Sequence, residues 1–168
     1  MAPADAKLTR AWLMLARARE AAGERTGALD AYARAARDGR GPEWGTAAVL
    51  ANARLLVQDK RWGAARQILG DLLKSPEAAT VAEAAFGIGE AYQGEGDHPA
   101  AAEYYMTAAY VAAESLAGRR ALLGAAASLA ALKQPDAAAI VYKKLLDQPG
   151  VPADLAEAAR KGLRELGR

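Results

Sequence analysis

Four stretches of the 168-residue sequence align with one another without an internal gap: residues 11–36, 48–73, 84–109 and 121–146. Their starts lie 37, 36 and 37 residues apart. A period of this length constrains the fold more than any composition figure, because one such unit cannot bury its apolar face alone and must stack on neighbours. Each stretch carries a small residue early, at Ala16, Ala53, Gly89 and Ala126, and another later, at Ala28, Ala65, Ala101 and Ala138. Four residues beyond the second comes a bulky one: Tyr32, Leu69, Tyr105 and Tyr142. Three further on stand Ala35, Leu72, Ala108 and Leu145. Spacings of three and four place these on one helical face, with the small residues where two helices approach closely.

A turn divides each stretch at Gly23-Glu24, Lys60-Arg61, Gly96-Asp97 and Lys133-Gln134. Glycine there suits the left-handed residue that ends many helices. Pro99 and Pro135 stand near the start of the following helix, where a missing N–H costs little. Pro42, Pro76, Pro149 and Pro152 interrupt the chain between units or after the last. The pattern predicts nine helices and no strand, over about residues 5–22, 26–38, 43–58, 62–74, 77–94, 98–112, 116–132, 135–147 and 152–166. The 46 alanines support this, since alanine has the best helix propensity. Most of these helices are too short to be stable in isolation and need stacking to persist.

Composition removes several classes. With no cysteine there is no disulfide framework, thiolate metal site or thiol nucleophile. No run approaches the ~18 consecutive apolar residues of a membrane span. The start, Met1-Ala2-Pro3-Ala4-Asp5, lacks the basic and apolar regions of a signal peptide. Cytoplasm and periplasm therefore both stay open. The net charge of +2 is too small to argue for nucleic acid. It is unevenly spread: residues 1–74 carry +5, residues 75–118 carry −7 with no Lys or Arg, and residues 119–168 carry +4.

The repeated positions resemble the tetratricopeptide repeat (TPR) family. The third stretch, Ala84-Ala85-Phe86-Gly87-Ile88-Gly89-Glu90-Ala91-Tyr92 through Gly96-Asp97 to Ala101, Tyr105 and Ala108, fits its pattern best. The resemblance implies an all-α fold, a right-handed TPR-like superhelical solenoid of four helix pairs with a C-terminal capping helix. It reads residues 1–168 as a single TPR-like domain, with repeats at about 9–42, 46–79, 82–115 and 119–150 and the capping helix at 152–166. The 36–37-residue spacing exceeds the family's usual figure of about 34. In this it is similar to a bacterial cell-envelope subgroup that includes Tol–Pal-associated and outer-membrane assembly proteins.

Little in the sequence points to catalysis. His98 is the only imidazole, and with Asp97 it reads as turn and N-cap chemistry. Ser75, Ser115 and Ser128 stand in no nucleophile context, and Gly87-x-Gly89 is a helix-packing feature. Tyr32, Tyr105 and Tyr142 are packing residues by register. Trp12 and Trp62 fill bulky positions, whereas Trp44 fits none. Tyr104, Tyr105 and Tyr110 make a small aromatic cluster without the interleaved basic residues of a single-stranded nucleic-acid platform. The chain is read as a non-enzyme without cofactor or metal, and no nucleic-acid binding or membrane insertion is expected.

TPR arrays usually act through a concave face lined by the first helix of each pair. Carried over by register, that face holds an apolar row of Leu13, Leu50, Phe86 and Leu123. Four residues further on stand Arg17, Arg54 and Glu90, and three before the row stand Arg10, Glu83 and Arg120. The apolar row either grips a partner helix or peptide, or packs against the second helices. The arginines would pair with acidic groups and the glutamates with basic ones. A chaperone-type carboxylate clamp of Lys and Asn is not matched, and Asn52 lies off this face. The expected function is a protein–protein interaction scaffold or adaptor that holds a partner segment, in a bacterial envelope assembly. The alternative is a self-assembling subunit, a head-to-tail homo-oligomer or filament in which the acidic third repeat meets the basic ends.

Overall fold

A computed structural model describes residues 3–38 and 42–168, with side chains described at 7–37 and 44–168. Met1 and Ala2, the start of the stretch read for a leader, lie outside the described residues, as does the end of the first repeat at 39–41. Among the described residues there are nine α-helices and no strand. They are α1 (Pro3–Ala21), α2 (Arg25–Asp38), α3 (Pro42–Gln58), α4 (Trp62–Leu69), α5 (Ala78–Glu95), α6 (His98–Val111), α7 (Leu116–Ala131), α8 (Pro135–Leu146) and α9 (Ala153–Glu165).

The expected helix over 62–74 changes character part way. It is α-helical to Leu69 and a 3-10 segment over Gly70–Lys74. Glycine weakens the helix at that point and Pro76 follows two residues beyond its end. The chain divides at the same place into two compact units, Met1–Leu69 and Gly70–Arg168.

In unit 1, α1 packs on α2, α2 on α3, α3 on α4, and α1 also meets α3. Its core gathers Leu13, Ala16, Ala28, Ala31, Tyr32, Ala35, Ala48 and Leu55. In unit 2 the 3-10 segment packs on α5, and each helix from α5 to α9 packs on the next. There α5 also meets α7, and α7 meets α9. Helix α9 thus stands to α7 as α7 stands to α5, the place of a further first helix, and packs into the unit 2 core through Leu155 and Ala159.

One turn geometry joins each helix pair. Gly23, Lys60, Gly96 and Lys133 adopt left-handed backbones, with φ of 79°, 59°, 84° and 57°. The next N–H reaches back to a carbonyl five residues earlier: Glu24 to Arg19 at 2.9 Å, Arg61 to Leu56 at 2.8 Å, Asp97 to Tyr92 at 3.0 Å and Gln134 to Leu129 at 3.0 Å. These are Schellman closures, which satisfy carbonyls left open at the helix end. Asp97 then caps α6 by accepting from the Ala100 N–H at 3.1 Å, as the turn chemistry around His98 anticipates. The small-residue positions do close-packing work. A Cβ at Gly89 would fall 2.6 Å from the Tyr105 ring, and one at Gly124 would fall 2.7 Å from the same ring.

Candidate functional site

The first helices of unit 1, α1 and α3, bring charged residues together around Tyr32. Tyr32 is fully buried in the core, and its hydroxyl donates to Glu20 Oε2 at 2.7 Å. The other oxygen of Glu20 accepts from the Arg54 guanidinium. Partial burial works to raise the pKa of Glu20. The hydrogen bonds from Tyr32 and Arg54, with the charges of Arg54 and Arg17, outweigh it and hold the carboxyl below its ordinary value. Burial first, and then Glu20, pushes the Tyr32 hydroxyl up to about 12, so it stays a protonated donor at neutral pH. Arg17 and Arg54, expected to share a face, do share the field of one carboxylate.

Cations also stack on this unit's tryptophans. The Arg10 guanidinium lies 5.6 Å from the Trp44 ring centroid, and that of Arg34 lies 4.8 Å from the Trp12 ring. Trp44, which fits no repeat position, is therefore a platform for Arg10 and a half-buried neighbour of the unit 1 core.

In unit 2 the corresponding surface is acidic. Tyr105 donates to Gln93 Oε1 at 2.7 Å, the same bond as in unit 1 but to a neutral acceptor. Burial and then the charge of Glu90 raise the Tyr105 pKa. Phe86 is half-buried and packs on Tyr105, with ring centroids 5.7 Å apart. Leu123 is half-buried against the same core. Glu83 and Arg120 are exposed. The neighbouring Arg119 is structural, donating at 2.9 Å to the carbonyls of both Pro149 and Gly150.

Two expectations need correcting. Leu13 is 1% exposed inside the unit 1 core, so it packs between helices and offers nothing to a partner. Its counterpart Leu50 is only partly buried. The tyrosine cluster is also not one cluster. Tyr105 is interior, Tyr104 stacks on Tyr92 at 5.5 Å, and Tyr110 is 89% exposed. Neighbouring residues on a helix point about 100° apart, so Tyr104 and Tyr105 were bound to diverge.

Sequence reasoning missed Glu20 and Gln93 as hydroxyl acceptors. The available signal was an acceptor twelve residues before the tyrosine in the first and third repeats, where the second and fourth have Val57 and Ala130.

No family model matches the sequence, and no curated protein does. Among solved structures, RapI in its apo form matches with a TM-score of 0.77 over 93% of this chain, at 13% sequence identity. RapI is a tetratricopeptide-like helical-repeat protein. The chain spans 58% of RapI's length. At that identity the likeness establishes the fold: an all-α, TPR-like helical-repeat solenoid built from consecutive helix pairs.

Proposed function

We infer that the chain is a non-catalytic protein-interaction scaffold or adaptor, one TPR-like domain over residues 1–168 that engages a partner peptide or helix through its first helices. One observation carries this reading. Small and bulky packing positions recur in both units, whereas first-helix positions of the same register differ in charge, the exposed Arg10 and Arg17 against the exposed Glu83 and half-buried Glu90. Surface that merely solvates a fold needs no such polarity, while a surface that selects partners uses it for specificity. Arg10, Arg17 and Arg54 would meet acidic groups of the partner beside Leu50. Glu83, Glu90 and Arg120 would meet complementary ones beside Phe86 and Leu123.

The repeat spacing supports a bacterial envelope assembly as the setting. No described helix is long and apolar enough to cross a membrane. The segregation of −7 into residues 75–118 favours a second reading, self-assembly into a homo-oligomer through opposite charges.

The test is affinity capture from host cells with the wild-type chain and with Arg17→Glu and Glu83→Arg, each of which alters an exposed side chain. The interaction reading expects each reversal to remove partners held by the wild type. An unchanged partner set with both variants defeats it. Sedimentation of the pure chain across a salt series decides the second reading, since a chain that stays monomeric at low salt does not self-assemble this way.

A further inference from the structure

Unit 1 contains a cleft of about 350 Å³ on the side of α3 away from Arg54. Ala33, Ala36 and Arg37 of α2, Val49 and Asn52 of α3, and Ile68 of α4 line it. Asn52 and Arg54 are two residues apart, so their side chains leave α3 about 200° apart and serve different surfaces.

The repeat register shows what is unusual about this place. Seventy-three residues on, unit 2 has Met106, Ala109, Tyr110, Leu122, Ala125 and Val141. Leu122, fully buried, stands where unit 1 has the smaller Val49, and the exposed Met106 stands where unit 1 has Ala33. Unit 1 is thus smaller at these two positions and has an amide at the cleft floor, in the position where the other repeats carry Leu15, Ile88 and Ala125.

Asn52 is 8% exposed and lines the cleft, and its amide makes no hydrogen bond among the described residues. An amide at the floor of an otherwise apolar wall offers one donor group and one acceptor to a molecule that enters the cleft. Arg37 is exposed at the rim and forms no ion pair among the described residues. Its guanidinium fork suits a carboxylate kept near solvent.

We propose that this cleft binds a small organic acid whose carboxylate pairs with Arg37, whose apolar body fills the space between α2, α3 and α4, and whose hydroxyl meets the Asn52 amide. Its volume lies at the lower end of small-molecule sites, which suits a ligand of a single ring or short branched chain. The site is separate from the partner-binding surface around Arg17 and Arg54 and does not depend on it.

Calorimetric titration of the intact chain tests this with three probes: 4-hydroxyphenylacetate, phenylacetate and 4-hydroxyphenylacetamide. The hydroxy acid is expected to bind with Kd between about 10 µM and 1 mM. Loss of the hydroxyl or of the negative charge weakens binding roughly tenfold each. Ala33→Met, which installs the unit 2 residue, removes binding without lowering the melting temperature. Arg37→Gln, a change at an exposed rim position, weakens the acid roughly tenfold and leaves the amide unaffected; it decides the matter if Ala33→Met fails to fold. Absence of saturable binding at about 10 mM acid overturns the proposal. So does equal binding of all three probes, or binding that survives both substitutions.

Discussion

Units 1 and 2 can be laid over one another in sequence at a spacing of 73 residues, and the differences divide cleanly by position. Tyr32 and Tyr105 stand in the same place, each with its hydroxyl 2.7 Å from an acceptor twelve residues earlier. Around that shared bond everything electrostatic changes. Glu20 becomes Gln93, Arg17 becomes Glu90, and Arg54 becomes Ala127. Close packing also differs, but in a compensated way: Ala16 and Ala51 of unit 1 give way to Gly89 and Gly124, which bracket the Tyr105 ring. Helix approach thus allows small steric trades, whereas the accessible rim is free to change sign. That freedom is where specificity can be written without disturbing the fold.

The largest way to break the comparison is to give unit 2 the residue of unit 1. Gly124→Ala drives a Cβ into the buried Tyr105 ring, which has no room to turn aside. We expect a loss of about 3 kcal/mol and a melting temperature lower by roughly 6–12 °C. The reverse exchange, Ala51→Gly, costs about 1 kcal/mol through helix propensity alone. Comparable losses from the two would show that Tyr105 is not held as tightly as described.

A smaller effect separates the two hydroxyl acceptors. Glu20→Gln reproduces the neutral acceptor of unit 2 and removes the ion pair with Arg54. The side chains of Arg54 and Glu20 are 53% and 24% exposed, so solvent screening limits the loss to about 0.5–1 kcal/mol at neutral pH. The folded-state pKa of Glu20 is lowered, so its contribution is fully present above the ordinary value of 4.5 and fades as the pH falls through the depressed value. Denaturant titrations at pH 7 and pH 3 should show the gap between variant and wild type closing in acid. A gap of constant size would mean that the carboxylate charge is not what stabilises the cluster.

Effects of similar or smaller size lie in the turns. Gly23 and Gly96 hold the left-handed position without strain, whereas Lys60 and Lys133 hold it with a Cβ. Lys60→Gly and Lys133→Gly should each raise stability by about 0.5 kcal/mol, relief of strain exceeding the added chain entropy. Gly96→Ala should lower it by about 1 kcal/mol. Equilibrium unfolding of the three variants checks both signs.

The helices and turns were legible because their signals are local. A cap, a left-handed residue and a small-residue position are each read within one turn of helix, and the four copies reinforce one another. The site was legible only in part. Arg17 and Arg54 share a register position, yet the carboxylate on which both act, Glu20, is 34 residues from Arg54 and becomes visible only when α1 and α3 are side by side. Leu13 and Leu50 share a register position but not an environment, since only Leu13 is enclosed by Tyr32 and its neighbours. The cleft over Asn52 needed three helices at once. Its walls are alanines that sequence reading assigns to close packing, and the space they leave is a property of the assembly.

The pair of glycines around Tyr105 also has a consequence for motion. A buried aromatic ring turns over only when its surroundings briefly expand, and here two of its walls are the backbones of α5 and α7 at Gly89 and Gly124, with Phe86 beside them. Side-chain rearrangement does not move those two walls, so the ring turns over when the two helices part. Tyr105 is therefore a built-in clock for the breathing of unit 2, readable as slow exchange between the two edges of its ring in an NMR spectrum.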